Sequence, residues 1–293
     1  MAMLSCTYML LNGTQHLVSS AVFNVGNRAF AHGDCITEYV HTCADRLCFF
    51  DKHLQHLRKG METAMMDVPQ KFLNKNREFS TEISKLITKN RIFHGSLVTI
   101  TVFRSSLAPK NIGPDSVEYY VHCEPSAELG YTINDRGLRF GIVDDICIAP
   151  TPMSGFFTHD NGIFKVITQK QCNKAGIDDA ITINTEGHIV ESVLNGTVFI
   201  IKGNTIITPP LSDGCKDDVM RRNILEIIAP EMGLTPVSDT PLRENDLKNT
   251  DEFFTASTVH GIKWVAAYKS QRFMRAKTTA LLNKLNALYK AQQ

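Results

Sequence analysis

The sequence has no long apolar segment and no excess of charge of either sign. Its 293 residues contain 31 Lys and Arg against 30 Asp and Glu, and no run of like charges could hold a nucleic-acid backbone. No apolar run approaches the roughly 20 residues that a membrane-spanning helix needs. Residues 1–5 also lack a basic segment followed by an apolar one. We therefore expect a cytoplasmic protein that binds neither nucleic acid nor membranes.

The cysteines also lack a recognisable pattern. They stand at positions 6, 35, 43, 48, 123, 147, 172 and 215, with no Cys-x-x-Cys pair. No histidine accompanies them at a spacing typical of zinc sites. We therefore expect reduced, small apolar side chains and no metal site.

Helix-like and strand-like patterns alternate along the chain, which predicts a mixed α/β (α+β) fold. After Asp51, apolar residues at spacings of three and four predict an amphipathic helix that Asp51 caps. Residues 96–104 and 117–123 are dense in Val, Ile, Tyr and Phe, which favours strands in a half-buried sheet. These elements would form the first of two domains.

Residues 124–130 break this pattern, and we predict that they are an interdomain linker. The predicted domains are then residues 1–123 and residues 131–293. The second domain would open with a strand over 138–149, followed by a helix over 162–175 that ends before a glycine.

The rest of the second half continues the alternation. Residues 180–211 contain two turn signals, which predicts a three-stranded meander. A helix is expected over 218–228. The closing helix carries Leu281, Leu285 and Leu288 on one stripe, a pattern typical of packing in a core or a dimer.

Four motifs occur in order along the chain. They are NRAFAHGDCITE at 27–38, HLQHL at 53–57, GIDDAITINTEGHIVE at 176–191, and TDEFFTASTVHGI at 250–262. Together they resemble the motifs of the fold-type IV, pyridoxal-phosphate (PLP) family of branched-chain and D-amino acid aminotransferases and 4-amino-4-deoxychorismate lyases. The resemblance spans roughly residues 8–268. It implies two α/β domains with PLP in the cleft between them, usually in a homodimer.

The family's aldimine lysine is missing from the place where the motif spacing puts it. Counting back from the third motif leads to Phe157, Thr158 and His159, and residues 150–164 contain no lysine. None of these three side chains can form the imine that tethers PLP. Lys165 stands about six to eight residues too late and is expected inside the following helix, some 9 to 12 Å along its axis. We interpret Lys165 as a solvated helix residue, with a displaced aldimine lysine as the alternative.

Residues matching the phosphate-binding elements also depart from the family. His56 stands where the family's helix usually supplies an arginine, a permanent bidentate donor. The Gly-Ile-Thr-Arg element is DVMR here, from Asp218 to Arg221. Its carboxylate falls where backbone N–H groups and a hydroxyl would meet the dianion. Two unit charges about 5 Å apart repel by roughly 3 kcal/mol at an effective dielectric of 20. Thr258 remains as a hydroxyl donor.

Three further residues match family positions. Glu191 matches the glutamate beneath the cofactor ring, which in active relatives keeps the ring nitrogen protonated, although a hydrogen-bonded strand carboxylate explains it equally well. Glu38 and Arg104 match positions that line the substrate side, and an ion pair would also explain each of them. The cofactor-cleft candidates are His56, Phe157, Thr158, His159, Glu191, Asp218, Val219, Met220 and Thr258, and the substrate-side candidates are Glu38 and Arg104.

These residues support three hypotheses. The favoured one is a family member that has lost lysine-dependent PLP catalysis and acts as a cleft-binding or interaction protein. PLP would not be covalently bound, and the small-molecule ligand is unknown. The second is an active PLP-dependent aminotransferase or aminodeoxychorismate lyase that acts on amino acids through Lys165. The third drops PLP and uses Glu191 with His56 or His159 as acid and base on another ligand. We favour the first because three changes fall on residues that would all contact one cofactor.

Overall fold

The computed structural model describes residues 6–20, 23–24, 26–73, 77–105, 116–126, 129–159 and 162–291. The chain divides into two compact units. Unit 1 comprises Met1–Gly130, Phe156–Asp160 and Tyr289–Gln293, and unit 2 comprises Tyr131–Gly155 and Asn161–Leu288. Unit 1 thus includes residues 156–160, which the sequence analysis placed in the second domain. Within the described ranges, no helix combines the length and apolarity that crossing a membrane requires.

Unit 1 is built on one antiparallel sheet. Its strands are β1 (Tyr8–Leu11), β2 (Thr14–Leu17), β3 (Cys35–Cys43), β4 (Arg46–Leu47), β5 (Gly95–Arg104) and β6 (Val117–Ser126), and its helices are α1 (Arg28–His32), α2 (Phe50–Thr63), α3 (Gln70–Leu73) and α4 (Arg77–Lys89). The strands lie in the order β2-β1-β6-β5-β3-β4. β6 continues to Ser126 because its pairing with β5 extends to the Gly95–Ser126 register pair. The strand therefore enters the predicted linker, of which residues 127 and 128 lie outside the described residues.

The helices of unit 1 form because their apolar residues fall on one face. In α2, Leu57 and Met61 are fully buried, and in α4 so are Ile83 and Leu86. The helix predicted after Asp51 is confirmed, but its cap is not. Phe49 holds the N-cap position in a left-handed conformation, and Asp51 lies in the first turn, where its charge favours the helix dipole.

Unit 2 is built on a larger mixed sheet. Its strands are β7 (Leu138–Ile148), β8 (Asp179–Asn184), β9 (Ile189–Ser192), β10 (Thr197–Lys202), β11 (Thr205–Ile207), β12 (Thr235–Val237), β13 (Glu252–Ser257), β14 (Gly261–Tyr268) and β15 (Gln271–Arg272). Its helices are α5 (Gly162–Ala175), α6 (Val219–Asn223), α7 (Ala229–Glu231) and α8 (Ala276–Ala291). The last residues of α8 are assigned to unit 1. The strand order is β12-β11-β10-β13-β14-β7-β8-β9, with β15 on β14.

The predicted elements of unit 2 are largely confirmed. α5 has the predicted bounds, whereas residues 180–211 hold parts of four strands instead of three. Gly203, at φ +54°, permits the tight turn that separates β10 from β11. The helix predicted over 218–228 consists of α6 and a π-helical turn at Ile224–Ile228. The core of this unit includes Phe140, Ile181, Ile189, Val198, Ile200, Phe253 and Val265.

Candidate functional site

In unit 2, the carboxylate of Asp218 binds three hydrogen-bond donors. It is the N-cap of α6, where its Oδ1 accepts the Met220 N–H at 2.7 Å. The same oxygen accepts the Thr258 hydroxyl at 2.7 Å, and Oδ2 accepts the Thr258 N–H at 3.0 Å. Asp218 and Thr258 are only 3% and 2% exposed, and Val219 and Met220 are fully buried. The structure therefore brings these four sequence candidates together, with the carboxylate at their centre.

The charged residues beside Asp218 are bonded to other acceptors. Arg221 is buried and donates from Nη2 to the Pro209 carbonyl at 3.0 Å. Arg222 forms a bidentate pair with Asp217, at 2.9 and 2.5 Å. Both guanidinium groups thus bond to acceptors other than Asp218, whose carboxylate accepts from the N-terminus of α6 and from Thr258.

Glu191, in β9, is half-buried. Its Oε2 is buried and makes no hydrogen bond to the described part of the chain. Burial raises the pKa of Glu191, and the ammonium groups of Lys216 and Lys165 act in the opposite direction. Lys216 also donates to the Ser154 carbonyl at 3.1 Å, while Lys165 lies exposed on α5.

In unit 1, Glu38 lies between two histidines. Its Oε1 is 2.6 Å from Nδ1 of His53, and its Oε2 is 2.7 Å from Nδ1 of His56. All three side chains are at most 3% exposed. Burial alone would raise the pKa of Glu38, but the charge of His56 and the hydrogen bonds of both rings lower it below its usual range. The ring of Phe156 packs 5.0 Å from that of His56.

His53 is a site residue that sequence reasoning missed. The signal was present, since residues three apart on a helix share a face, and both histidines of α2 would approach the same strand. The motif resemblance directed attention to His56 alone, because His56 stands where the family usually has an arginine. It gave no reason to pair either ring with Glu38 on β3.

The segment 157–159, where the motif spacing predicts the family's lysine, is attached to β3 in unit 1. The Thr37 N–H donates to the Phe157 carbonyl at 2.8 Å, and the Thr37 hydroxyl lies 3.1 Å from Nε2 of His159. The Phe157 ring meets that of Tyr39 edge to face at 5.3 Å. Thr158 lies between these anchors and is half-buried. Each of these backbone positions carries a side chain without an amine.

Arg104 and Glu38, the two substrate-side candidates, have separate bonding partners. Arg104 lies 3.3 Å from Asp34 through Nε, and it donates to the carbonyls of Ala64 and Met65 just beyond the end of α2. A cation at a helix C-terminus is stabilised by the helix dipole. Arg104 therefore holds β5 to α2 in unit 1.

The acid–base hypothesis combines residues from both units. Glu191 belongs to unit 2, whereas His56 and His159 belong to unit 1. His56 is bonded to Glu38, and His159 is bonded to Thr37. That hypothesis stays a prediction.

Comparison with known proteins identifies the family. Residues 37–268 match the family described as amino-transferase class IV. The aminodeoxychorismate lyase of Vibrio harveyi is 21% identical over 242 residues, which cover 81% of this chain and 84% of that protein. A putative branched-chain-amino-acid aminotransferase of Methanocaldococcus jannaschii is 22% identical over 252 residues, covering 85% and 83%.

Solved structures agree on the fold. The branched-chain aminotransferase from Thermoproteus uzoniensis has a TM-score of 0.86 at 17% identity, covering 98% of this chain and 96% of that one. A putative 4-amino-4-deoxychorismate lyase from Legionella pneumophila has a TM-score of 0.79 at 17% identity, covering 92% and 97%. The match over most of the chain confirms the resemblance inferred from the four motifs, and this protein belongs to the amino-transferase class IV family.

Proposed function

We propose that this chain is a class IV aminotransferase-family protein without PLP-dependent transaminase activity, which acts by binding a partner molecule. The observation that carries the proposal is the set of donors bound by Asp218. A backbone N–H at the start of α6 and the N–H and hydroxyl of Thr258 all donate to this carboxylate. By resemblance to the family, these are the donors that would hold the cofactor's phosphate.

The energetics disfavour a phosphate at these donors. A dianion there would have to displace charge-assisted hydrogen bonds, each worth about 1.5 to 3 kcal/mol. It would also face the Asp218 carboxylate, a repulsion of roughly 6 kcal/mol for a doubly charged group about 5 Å away at an effective dielectric of 20. That repulsion alone corresponds to a roughly ten-thousandfold loss of affinity.

The other residues that would contact the cofactor also argue against PLP binding. Thr158 offers no amine for an imine, and His56 is bonded to Glu38. Glu191 has a pKa raised by burial. The residues present do not fit PLP. A homodimer, as the family resemblance implies, remains compatible with a binding role.

Mixing the purified protein with excess PLP is expected to give no imine absorbance beyond that of free PLP. After borohydride reduction, peptide mass spectrometry should find no lysine selectively modified. An amino-donor panel with 2-oxoglutarate should give no turnover, because none of Phe157, Thr158 and His159 can tether the cofactor. A PLP-dependent member of the family serves as the positive control. Stoichiometric reduction of PLP onto one lysine would overturn the proposal.

Lys165 provides the second candidate function, an active transaminase or lyase with a displaced lysine. The observation that favours it is electrostatic, since the Lys165 ammonium acts on the pKa of Glu191. Lys165→Ala and Lys170→Ala form a matched pair, because both lysines lie exposed on α5. Turnover abolished by the first substitution and kept by the second would establish this candidate. We expect no turnover from the unmodified chain.

A further inference from the structure

Away from the candidate site, unit 1 contains a buried cluster of two thiols and an imidazole. It consists of His41, Cys43 and Cys48. One ligand atom of each residue, a ring nitrogen or a sulfur, lies within 4.8 Å of the other two. The three residues are 5%, 2% and 2% exposed. The cluster is therefore buried and compact, and it combines the side chains that thiophilic metals prefer.

The hairpin of β3 and β4 brings the three side chains together. His41 and Cys43 are two residues apart on β3, so their side chains point to the same face of the strand. The Cys48 N–H donates to the His41 carbonyl at 3.0 Å, which places Cys48 opposite His41 just after β4. Directly opposed residues in an antiparallel pair share a face. The turn between the strands thus makes neighbours of residues that look unrelated in sequence.

Aromatic and backbone groups of unit 1 surround the cluster. The ring of Tyr289 meets His41 edge to face at 5.7 Å and meets Phe49 at 5.1 Å. The thiol of Cys43 lies 3.2 Å from the carbonyl oxygen of Leu129. An apolar wall restricts the access of water to the site, as the hydrophobic shell around a bound metal does.

We propose that His41, Cys43 and Cys48 bind a zinc ion. Bonds of about 2.3 Å to sulfur and 2.0 to 2.1 Å to nitrogen place the three tetrahedral ligand atoms roughly 3.5 to 3.8 Å apart. The observed upper limit of 4.8 Å requires each ligand to move inward by about an ångström at most. Two thiolates balance the charge of Zn²⁺, so the ion adds no net charge to the buried site. The fourth position is left for water or another oxygen.

Metal binding requires both thiols to lose their protons, and zinc takes the place of those protons without any change in oxidation state. The competing fate of the same two sulfurs is a Cys43–Cys48 disulfide, which would remove them as ligands. The two states can be distinguished chemically. In the zinc-bound state both sulfurs remain thiolates and no redox change occurs. Forming the disulfide removes two electrons, which an oxidant must accept.

The full-length protein, purified with a reductant and without chelator, should contain about one zinc ion per chain by elemental analysis. Replacing the zinc with Co²⁺ should give the near-ultraviolet thiolate charge-transfer band and the visible bands of tetrahedral cobalt. Cys48→Ala should weaken zinc binding more than 100-fold, because loss of a direct ligand should exceed the 10- to 100-fold effect of losing an outer-shell group.

Cys215→Ala is the matched control, since Cys215 is a fully buried cysteine of unit 2 whose thiol donates to the backbone carbonyls of Pro209 and Pro210. It should bind zinc and cobalt like the unmodified protein. The proposal is overturned if the reduced chain binds no zinc in a competition titration with a chelator. It is equally overturned if Cys48→Ala retains the metal, or if protein prepared with reductant contains a Cys43–Cys48 disulfide.

Discussion

Replacing Asp218 with glycine is expected to lower the free energy of unfolding by about 3 to 4 kcal/mol. The loss of the N-cap side chain costs only about a few tenths of a kcal/mol when glycine replaces it, so most of the effect comes from Thr258. The N–H and hydroxyl of Thr258, both buried, would each lose their acceptor, and an unsatisfied buried group costs about 1 to 3 kcal/mol. Denaturant unfolding at neutral pH, followed by fluorescence and circular dichroism, measures the change.

A double-mutant cycle tests whether this loss comes from the hydrogen bonds themselves. Thr258→Val removes the hydroxyl, and we expect its effect and that of Asp218→Gly to be non-additive by at least about 1 kcal/mol. Asp218→Asn keeps one carbonyl oxygen and should lose less stability than the glycine variant. Asp217→Asn is the neighbouring control, because that carboxylate pairs with Arg222. Additive effects of the Asp218 and Thr258 substitutions would contradict the direct interaction.

Glu38→Gln is expected to lower the free energy of unfolding by about 3 kcal/mol near neutral pH. Removing one member of a buried ion pair leaves an uncompensated charge, at a cost of about 3 to 5 kcal/mol, and deprotonation of a histidine ring would recover part of it. Glu124→Gln is the matched control. Glu124 also lies near a histidine, His122, at 3.4 Å, but it is 68% exposed, and surface pairs contribute at most about 1 kcal/mol.

The loss of stability caused by Glu38→Gln should become smaller as the pH falls. Folding lowers the pKa of Glu38, so its contribution to stability is fully present above the pKa of an unfolded glutamate, about 4.3. The contribution is lost as the pH falls from that value through the folded-state pKa. The stability difference between the wild type and Glu38→Gln should therefore shrink on acidification below about pH 4. A difference that grows in acid would show that this carboxyl group is protonated in the folded protein.

The sequence was sufficient for the elements whose apolar residues repeat over many positions. α2 and β5 are examples, because a long apolar pattern predicts both the type of element and its place. Short strands such as β4 and β15 were missed, since two residues carry no period. They form only because a longer strand beside them supplies the hydrogen bonds.

The site was harder to predict because its contacts join distant parts of the chain. The sequence indicated that Asp218 would repel a phosphate, but not that Thr258, 40 residues later, would donate to it twice. The same holds for Thr37 and Phe157, which pair across unit 1. Motif spacing predicted where the family's lysine would stand, whereas the contacts of residues 157–159 depend on the tertiary fold.

The carboxylate at the start of α6 has a consequence for how the protein is made. Because this anion is part of the polypeptide, dialysis or dilution cannot remove it from its three donors. The helix cap and the turn after β13 are completed by groups of the chain itself. The proposed function, in which the chain does not use PLP, therefore predicts that a cell starved of vitamin B6 accumulates this protein at the same level and with the same melting temperature as a well-fed one.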